Sequence, residues 1–347
     1  MTDQELIKAI EEGYRELYGS GLTGIEPLPR SGSDRRYFRI FETSRSIIGA
    51  YNPNREENDA FIGFTFHFRT KNLPVPEIFG IIPEKYIYFL QDLGNSNLYT
   101  WLKKREMSKG FDHEAIELYQ KILEKLVLFQ TRGIDGLDLD LCYPHKSFDR
   151  QSMMWDMNYF KYMFLKLVAA PFNEKRLEQD FNSLADFLLE AGQDYFLYRD
   201  FQTANVMVIE REPWFIDYQG GRRGAPQYDV ASLLNDAKIH IEKSVREQLL
   251  EHYIDVFCQT THENRERFRK YYAGFCMIRL MQALGAFGFR GLYEQKPTFT
   301  ESIVPGVKLL QEIISWGNEY IKLPELYSTV RSVSDTDKYR TLASGAV

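Results

Sequence analysis

Short apolar runs separated by turn residues dominate the first ninety residues, whereas apolar positions recur at helical spacing beyond residue 98. Three runs have the length and the β-branched or aromatic content of buried strands: 37–41, 46–51 and 86–90. Four later segments carry apolar residues with a period near 3.6 and are predicted helices: 98–105, 114–132, 149–167 and 175–191. Asp112 and Asp149 stand at the starts of two of these helices, where aspartate caps backbone N–H groups.

The remaining segments complete a two-part chain. Residues 1–19 form an amphipathic helix by their spacing, and residues 56–69 are predicted to pack as a helix on the sheet. Glycines and prolines predict a loop over 19–29, and prolines predict an extended connector over 73–79. The expected parts are an amino-terminal lobe (1–91), a carboxy-terminal lobe (92–330) and a loose tail poor in apolar residues (331–347).

Polar residues in the stretch 196–221 occupy the turns between three short apolar strands, predicted over 196–198, 206–210 and 214–216. Those residues are Asp200, Asn205 and Asp217. Phosphoryl transfer from a nucleotide needs such a set: one carboxylate takes the proton of the acceptor hydroxyl, while an amide and a second carboxylate hold Mg²⁺ on the phosphates. Aspartate and asparagine are also common turn residues, but three at these spacings favour the catalytic interpretation.

A phosphate-binding turn is predicted just before the strand over 37–41. Gly32 and Ser33 allow backbone N–H groups to approach a phosphate, although a single glycine is equally compatible with an ordinary hairpin. The next strand, 46–51, contains no lysine, although protein kinases place their phosphate-pairing lysine there. A nucleotide would then be held by Mg²⁺ and by one of three arginines: Arg35, Arg36 or Arg39. Glu57 stands where a helix carboxylate could face the phosphate loop, but it is interpreted as a solvated surface acid.

Several other residues have two possible roles. Arg222 and Arg223 follow the second carboxylate in a glycine-rich loop and are expected either to meet an anionic substrate or to be solvated surface charges. Asp229 is expected to tie that loop to the helix that follows it. A stripe of methionine and aromatic residues over 153–164 is predicted to be core, with a flat ligand as the alternative.

Composition narrows the class of protein. The chain has 347 residues, 44% of them hydrophobic, and a formal charge of −6, which argues against a nucleic-acid-binding protein. Its three cysteines are widely spaced and are expected to be reduced thiols of a cytoplasmic protein. A signal peptide and a membrane span are not predicted. The sequence does not predict an oligomeric state.

With these residues in view, the chain resembles the aminoglycoside phosphotransferase and choline kinase superfamily, and within it the bacterial anomeric kinases that act on N-acetylmuramate and N-acetylglucosamine. Four passages carry the resemblance: 33–40, 198–207, 216–219 together with 228–234, and 278–287. Two departures are Tyr198, where the catalytic loop usually has histidine, and the glycine- and arginine-rich loop over 220–223.

The resemblance implies an α+β, bilobal, protein-kinase-like fold, with a small five-stranded antiparallel lobe and a larger, mainly helical lobe. It implies ATP and Mg²⁺ as cofactors, Asp200 as the base, and Asn205 and Asp217 as metal ligands. Nucleotide contacts are expected from Gly32, Ser33, Arg35 and Arg36, and from the backbone near Leu90 and Asp92, beside a hinge expected over 91–94. Substrate contacts are expected from Gln202, Arg222 and Arg223.

The leading functional hypothesis is phosphorylation of the anomeric hydroxyl of an N-acetylated amino sugar. An aminoglycoside or choline-type kinase is the alternative within the same fold, although cationic substrates would favour an acidic pocket. A nucleotide-binding regulator without catalysis is the alternative from another class, and the missing lysine is its best support. Nucleotide and a small sugar are the expected partners.

Overall fold

The smaller lobe is built on a five-stranded antiparallel sheet. The computed structural model describes residues 2–29, 34–105 and 111–345 of the chain. The strands of this sheet are β1 (Leu22–Pro27), β2 (Arg36–Glu42), β3 (Ser46–Tyr51), β4 (Ile78–Ile82) and β5 (Ile87–Gln91). Their spatial order is β1-β2-β3-β5-β4, so β1 and β4 form the two edges.

Two helices cover the opposite faces of this sheet. The first helix, α1 (Asp3–Tyr18), begins with a capping box at Thr2 and buries Leu6, Ile10 and Tyr14 against one face. It approaches so closely that a Cβ on Gly49 would lie 2.8 Å from Ile10 Cγ2, which only glycine avoids. The second helix, α2 (Arg55–Thr70), packs its phenylalanines on the other face.

The larger lobe is mainly helical. Its helices are α3 (Leu98–Lys104), α4 (His113–Thr131), α5 (Arg150–Phe160), α6 (Glu174–Leu189), α7 (Gln227–Leu234), α8 (Lys243–Thr261), α9 (Arg265–Phe287), α10 (Pro297–Thr300), α11 (Ile303–Gly317), α12 (Pro324–Ser332) and α13 (Asp337–Ala343). Its strands form two hairpin-like pairs: β6 (Tyr195–Leu197) with β9 (Arg222–Gly224), and β7 (Val206–Ile209) with β8 (Glu212–Phe215).

The helix α9 is the centre of the larger lobe, because α5, α7 and α11 all pack against it. With the π-helical turn that follows, it spans Arg265–Tyr293 and is long and apolar enough to cross a membrane by length and composition. However, 72% of its most apolar window is buried inside the fold. Burial by neighbouring helices accounts for its apolar character.

The predicted α+β arrangement, with a five-stranded lobe and a larger helical lobe, is confirmed. The predicted helices and strands appear within a few residues of their expected bounds, and Asp112 and Asp149 cap α4 and α5. The methionine and aromatic stripe over 153–164 is mostly core: Met153, Met157 and Phe160 have no exposed surface.

Two expectations were wrong, and one strand was not predicted. The predicted loop over 19–29 contains β1, because an edge strand tolerates the glycine and proline that suggested a turn. The connector over 73–79 leads into β4, which was not predicted. The tail after 330 is not loose over its described part: α13 forms there, and Val333 and Tyr339 are buried against the helical core.

Candidate active site

The loop between β6 and β7 carries Asp200 and is fixed by its own backbone. Gln202 N–H donates to the Asp200 carbonyl at 2.9 Å, and Asn205 N–H donates to the Gln202 carbonyl at 2.9 Å. Arg199, directly before Asp200, has a left-handed φ of 80°, which is unusual for a residue other than glycine. Such a strained residue persists only where its surroundings hold it.

Asp156 and Tyr228 hold Arg199 in this conformation. Both guanidinium Nη atoms donate to the Asp156 carboxylate, at 2.7 and 2.6 Å, and Nη1 also donates to the Tyr228 hydroxyl at 2.6 Å. The Phe148 ring lies under the guanidinium, 5.0 Å from its centroid. Because this bidentate pair is largely buried, it locks the loop to α5 and α7.

Asp229, in the first turn of α7, binds the backbone of the same loop. Its two carboxylate oxygens accept the backbone N–H groups of Tyr198, at 2.7 Å, and Arg199, at 3.0 Å. Burial raises the pKa of this carboxyl group to about 7, while the two N–H groups act in the opposite direction. Asp229 therefore has a structural role, as expected, but it ties the loop that carries Asp200 to α7 and not the glycine-rich loop that precedes the helix.

Replacing Asp229 with asparagine is predicted to destabilise the fold by about 1–3 kcal/mol, because the side-chain NH₂ then faces a buried N–H donor. Urea denaturation measures this change, and kcat is expected to fall with it because the loop loses its anchor. Asp135→Asn, which changes an exposed acid, is the matched control. Equal stability of the two variants would contradict the anchoring role.

Asp200, Asn205 and Asp217 come together at one end of the cleft between the lobes. Asn205 Nδ2 donates to the Asp200 carbonyl at 2.9 Å and to Asp217 Oδ2 at 3.2 Å. The backbone of the two strand ends is joined by a hydrogen bond from Ile216 N–H to the Asn205 carbonyl at 3.1 Å. Burial and, after it, the nearby Asp217 raise the pKa of Asp200, whereas Arg279 and Arg199 lower it.

Tyr198, found where the catalytic loop usually has histidine, supports the second carboxylate. Its ring is fully buried, and its hydroxyl donates to the carbonyl of Ile216, the residue before Asp217, at 2.6 Å. The departure from the usual residue therefore keeps a hydrogen bond between the catalytic loop and the segment that carries Asp217.

Arg35 brings a cation to the cavity, whereas the third strand brings none. Ala50 on β3 is fully buried, and no lysine reaches the cleft from that strand. Instead, Arg35 Nη2 lies 3.1 Å from Glu57 Oε2, and Nη1 lies 3.3 Å from Asp217 Oδ1. Its side chain is only 2% exposed, and its neighbouring tyrosine hydroxyls and Asp217 raise its pKa against the effect of burial.

Glu57 is not the surface acid that the sequence suggested. Its carboxylate accepts from Arg35 and, at 3.0 Å, from Asn52 Nδ2, and it lines the cleft. The spacing of apolar residues correctly predicted that Glu57 lies on a helix, α2. It could not predict the partner of Glu57, because Arg35 is 22 residues away, directly before β2.

The cleft holds a cavity of about 650 Å³, within the size range of small-molecule sites. Its wall combines the residues described above with side chains from the helices of the larger lobe. The polar and charged residues that line it are Arg35, Tyr37, Glu57, Asn97, Asp200, Gln202, Asn205, Asp217, Gln219, Ser232, Asn235, Asp236, Lys238, Arg279, Gln282 and Arg290.

The structure therefore brings Asp200, Gln202, Asn205, Asp217 and Arg35 to one cavity. Gly32 and Ser33 lie outside the described residues.

Five other candidate residues do not line this cavity, and each has a structural reason. Arg36 pairs with Asp3 of α1. Leu90 is packed within the sheet, and the Asp92 carboxylate accepts hydrogen bonds from Arg39, Ser46 and the Gly94 N–H.

Arg222, a candidate for substrate binding, is buried and donates to the Gly220 and Tyr143 carbonyls. Burial and the nearby Arg199 lower its pKa.

Arg223 points elsewhere as well. It lies on β9, is exposed, and has Asp194 as its nearest acid at 4.0 Å. Of the two arginines in the glycine-rich loop, Arg223 is therefore exposed to solvent and Arg222 is buried. Neither side chain lines the cavity.

Sequence reasoning missed the cations that the larger lobe contributes to the cavity: Lys238, Arg279 and Arg290. The available signal was Arg279 itself, an arginine inside an otherwise apolar helical segment, where a charge is costly unless it has a function or a partner.

The residues of the cleft fit a magnesium-nucleotide. Because Asn205 Nδ2 is used by Asp200 and Asp217, its Oδ1 is the oxygen available to a metal ion beside the Asp217 carboxylate. No cluster of three histidine, cysteine or acidic residues suited to a metal occurs in the described ranges, and Mg²⁺ does not need one when phosphates and water complete its shell. Arg35 Nε is buried without a hydrogen-bond partner among the described residues, whereas its Nη atoms reach Glu57 and Asp217 at the cavity.

Comparison with known proteins places the chain among small-molecule kinases. A sequence model of the phosphotransferase enzyme family matches residues 24–271. An N-acetylmuramate/N-acetylglucosamine kinase of Neisseria meningitidis serogroup B is 24% identical over 316 residues, which cover 88% of this chain and 90% of that one.

Two solved structures share the fold. The ethanolamine kinase of Plasmodium vivax superposes with a TM-score of 0.63 at 11% identity, covering 90% of this chain and 88% of its own. The ADP-bound aminoglycoside phosphotransferase APH(2'')-Ib superposes with a TM-score of 0.57 at 14% identity, covering 92% of this chain and 100% of its own. The fold that the sequence resemblance implied is confirmed.

Proposed function

Because this chain belongs to the phosphotransferase enzyme family, we propose that it transfers the γ-phosphoryl group of ATP to a sugar hydroxyl. The acceptor is the anomeric hydroxyl of an N-acetylated amino sugar, as the name of the Neisseria meningitidis relative suggests. One observation carries the proposal: Asp200 faces the same cavity as Asn205, Asp217 and Arg35. This arrangement supplies a base on one side of the reacting phosphoryl group and charge-neutralising groups on the other.

Asp200 acts as the base for the acceptor hydroxyl. The acceptor oxygen forms a bond to the γ-phosphorus while the bond from that phosphorus to the bridging oxygen breaks. The hydroxyl proton passes to Asp200, and ADP is the leaving group. The hydrogen bond from Asn205 to the Asp200 carbonyl and the Arg199 anchor fix the position of Asp200 in the cavity, so positioning would contribute much of the rate.

Asn205, Asp217 and Arg35 hold the nucleotide end of the cleft. When bound, Mg²⁺ neutralises charge on the phosphates. Asn205 and Asp217 would hold it, and Gln219 Nε2 fixes the Asp217 carboxylate through a 2.7 Å hydrogen bond to Oδ1. Arg35 takes the role of the absent lysine, joined to Glu57 of α2 in an ion pair that links sheet and helix to the site.

The charges of the cavity favour a sugar acceptor over an aminoglycoside or choline. Cationic substrates require carboxylates around the acceptor, but among the described residues this side of the cavity presents Lys238, Arg279 and Arg290 against one acid, Asp236. The Asp236 carboxylate is also occupied, because it accepts from Thr203 Oγ1 at 2.6 Å. A regulator without catalysis has no need of Asp200 beside a complete metal-binding pair.

The proposal is tested by incubating the purified protein with ATP, Mg²⁺ and single acceptors, and measuring ADP release and the phosphorylated product. N-acetylmuramate, N-acetylglucosamine, kanamycin and choline form the panel. ADP release that depends on an N-acetylated sugar supports the proposal. Release only with kanamycin or choline contradicts the acceptor, and ATP binding without release in any sample supports the regulator instead.

The pH dependence of turnover follows from the raised pKa of Asp200. The base works only when deprotonated, so kcat/KM falls as the pH drops through a pKa above the ordinary value of 3.8. Replacing Arg279 with glutamine removes a cation that lowers this pKa, and the acidic limb should therefore move to higher pH. An acidic limb at or below 3.8 in the wild-type profile would contradict the assignment of Asp200 as base.

A further inference from the structure

Arg279 is a buried cation without a matching anion. Its residue is 9% exposed on α9, the central helix of the larger lobe, yet it lines the cavity. Nε donates to Ser232 Oγ at 2.8 Å and Nη1 to Gln282 Oε1 at 2.6 Å, both neutral groups. Within the part of the chain that the structure describes, no carboxylate lies within 4.0 Å of its guanidinium and Nη2 has no hydrogen-bond acceptor.

Burial of the Arg279 guanidinium without a counter-ion lowers the stability of the fold unless a bound anion supplies the missing negative charge. A buried guanidinium is normally paired, because burial without a counter-ion carries a large desolvation penalty. Arg35 pairs with Glu57 and Asp217, and Arg199 pairs with Asp156. Arg222 is buried without an acid, but two backbone carbonyls accept from it and it does not line the cavity, whereas Arg279 opens onto the cavity. The Ser232 and Gln282 hydrogen bonds fix the guanidinium plane and leave one edge for a planar anion.

Among the described residues, the cavity wall around Arg279 carries two further cations, Lys238 and Arg290, and one acid, Asp236. Lys238 and Arg290 approach the ring of Phe299 at 5.7 and 5.5 Å from its centroid, and all three line the cavity. The acids Glu57, Asp200 and Asp217 belong to the nucleotide and catalytic end, where Arg35 pairs with two of them. On the other side the cations exceed the acids, because Asp236 is the one described acid there and already accepts from Thr203. A ligand that reaches from Asp200 toward Arg279 passes from an acidic to a basic environment.

We propose that the acceptor carries a carboxylate and that Arg279 binds this carboxylate and so determines specificity. The proposal rests on the function proposed above, and it selects one of the two sugars in the relative's name. N-acetylmuramate is N-acetylglucosamine with a lactyl ether, and the carboxylate of that ether is the only charge by which the two sugars differ. Arg279 therefore distinguishes them, while Asp200 treats their shared anomeric hydroxyl alike.

An alternative role for Arg279 is a contact with the transferring phosphoryl group, since its charge acts on Asp200. The two roles make different predictions. A phosphoryl contact contributes to turnover of every acceptor by the same factor, whereas a carboxylate contact contributes only when the acceptor is acidic.

The test measures kcat and KM for N-acetylmuramate and N-acetylglucosamine with wild-type protein, Arg279→Gln and the control Arg331→Gln, which changes an exposed arginine on α12. Wild type and control should prefer N-acetylmuramate. Arg279→Gln should reduce that preference by about 10- to 100-fold, the range for a lost charge-assisted hydrogen bond, mainly through KM of the acidic sugar. Circular dichroism and thermal denaturation report whether the variant is folded.

Arg279→Lys is the second variant, for the case in which the glutamine variant does not fold. The lysine ammonium group keeps the positive charge, but it cannot donate to Ser232, to Gln282 and to the carboxylate of the acceptor in the planar arrangement of a guanidinium. This variant should therefore retain only part of the preference for N-acetylmuramate. Equal use of both sugars by the wild type, or an equal loss for both sugars in a variant, overturns the carboxylate role. Turnover of neither sugar instead overturns the proposed function, and this inference with it.

Discussion

Asp200→Asn is expected to lower kcat by about 10²- to 10⁴-fold, the usual contribution of a positioned general base. The amide keeps the size of the side chain and the backbone carbonyl that accepts from Asn205, so the loop is undisturbed. The affinity for the nucleotide should change little, because Arg35, Asn205 and Asp217 remain. Single-turnover phosphoryl transfer and equilibrium nucleotide binding measure the two quantities separately.

The stability of this variant excludes unfolding as the cause. In the wild type, burial and the nearby Asp217 both disfavour the charged form of Asp200, so its carboxylate opposes folding at neutral pH. Asp200→Asn removes this penalty, and its Tm should equal or exceed that of the wild type. Turnover close to the wild-type value, at unchanged Tm, would remove Asp200 from the role of base.

Arg35→Gln is expected to lower kcat/KM for ATP by about 10²- to 10³-fold, comparable with the loss of one preorganised charge-stabilising donor. The variant loses the cation beside Asp217 and the ion pair that joins Glu57 to the site. The Tm should fall as well, because Arg35 is almost fully buried and its two acids are left without it. Steady-state kinetics with ATP as the varied substrate and thermal denaturation measure both effects.

Arg36→Gln is the matched control, because the neighbouring arginine pairs with Asp3 outside the cavity. It should leave KM for ATP unchanged. Glu57→Gln provides an intermediate case, in which Arg35 keeps Asp217 as its partner and the loss should be smaller. If Arg36→Gln weakens nucleotide use as strongly as Arg35→Gln, the structural assignment of the replacement cation is wrong.

The part of the site that sequence reasoning located is local in the chain. Asp200, Asn205 and Asp217 lie within 18 residues, and the strands between them set their spacing, so their convergence follows from a short hairpin-like segment. Likewise, Asp112 and Asp149 were recognised as caps because capping depends on neighbours three residues away.

The parts that were missed depend on contacts between distant segments. Arg35 and Glu57 meet only after β2 and α2 pack, and Arg279 reaches the cavity only because α9 lies against α7. Arg222 and Arg223 were placed near the substrate from their position in the chain, but pairing of β9 with β6 directs them elsewhere. Side-chain direction in a short strand is set by its partner, which the local sequence does not specify.

The central claim is that Asn205, Asp217 and Arg35 hold the phosphates of ATP while Asp200 faces the acceptor. A crystal structure with Mg²⁺, a non-hydrolysable ATP analogue and N-acetylmuramate tests it most directly. The account predicts the metal between Asn205 Oδ1 and the Asp217 carboxylate, Arg35 at the phosphates, and the anomeric hydroxyl within hydrogen-bond distance of Asp200. A triphosphate bound away from these four side chains would contradict it.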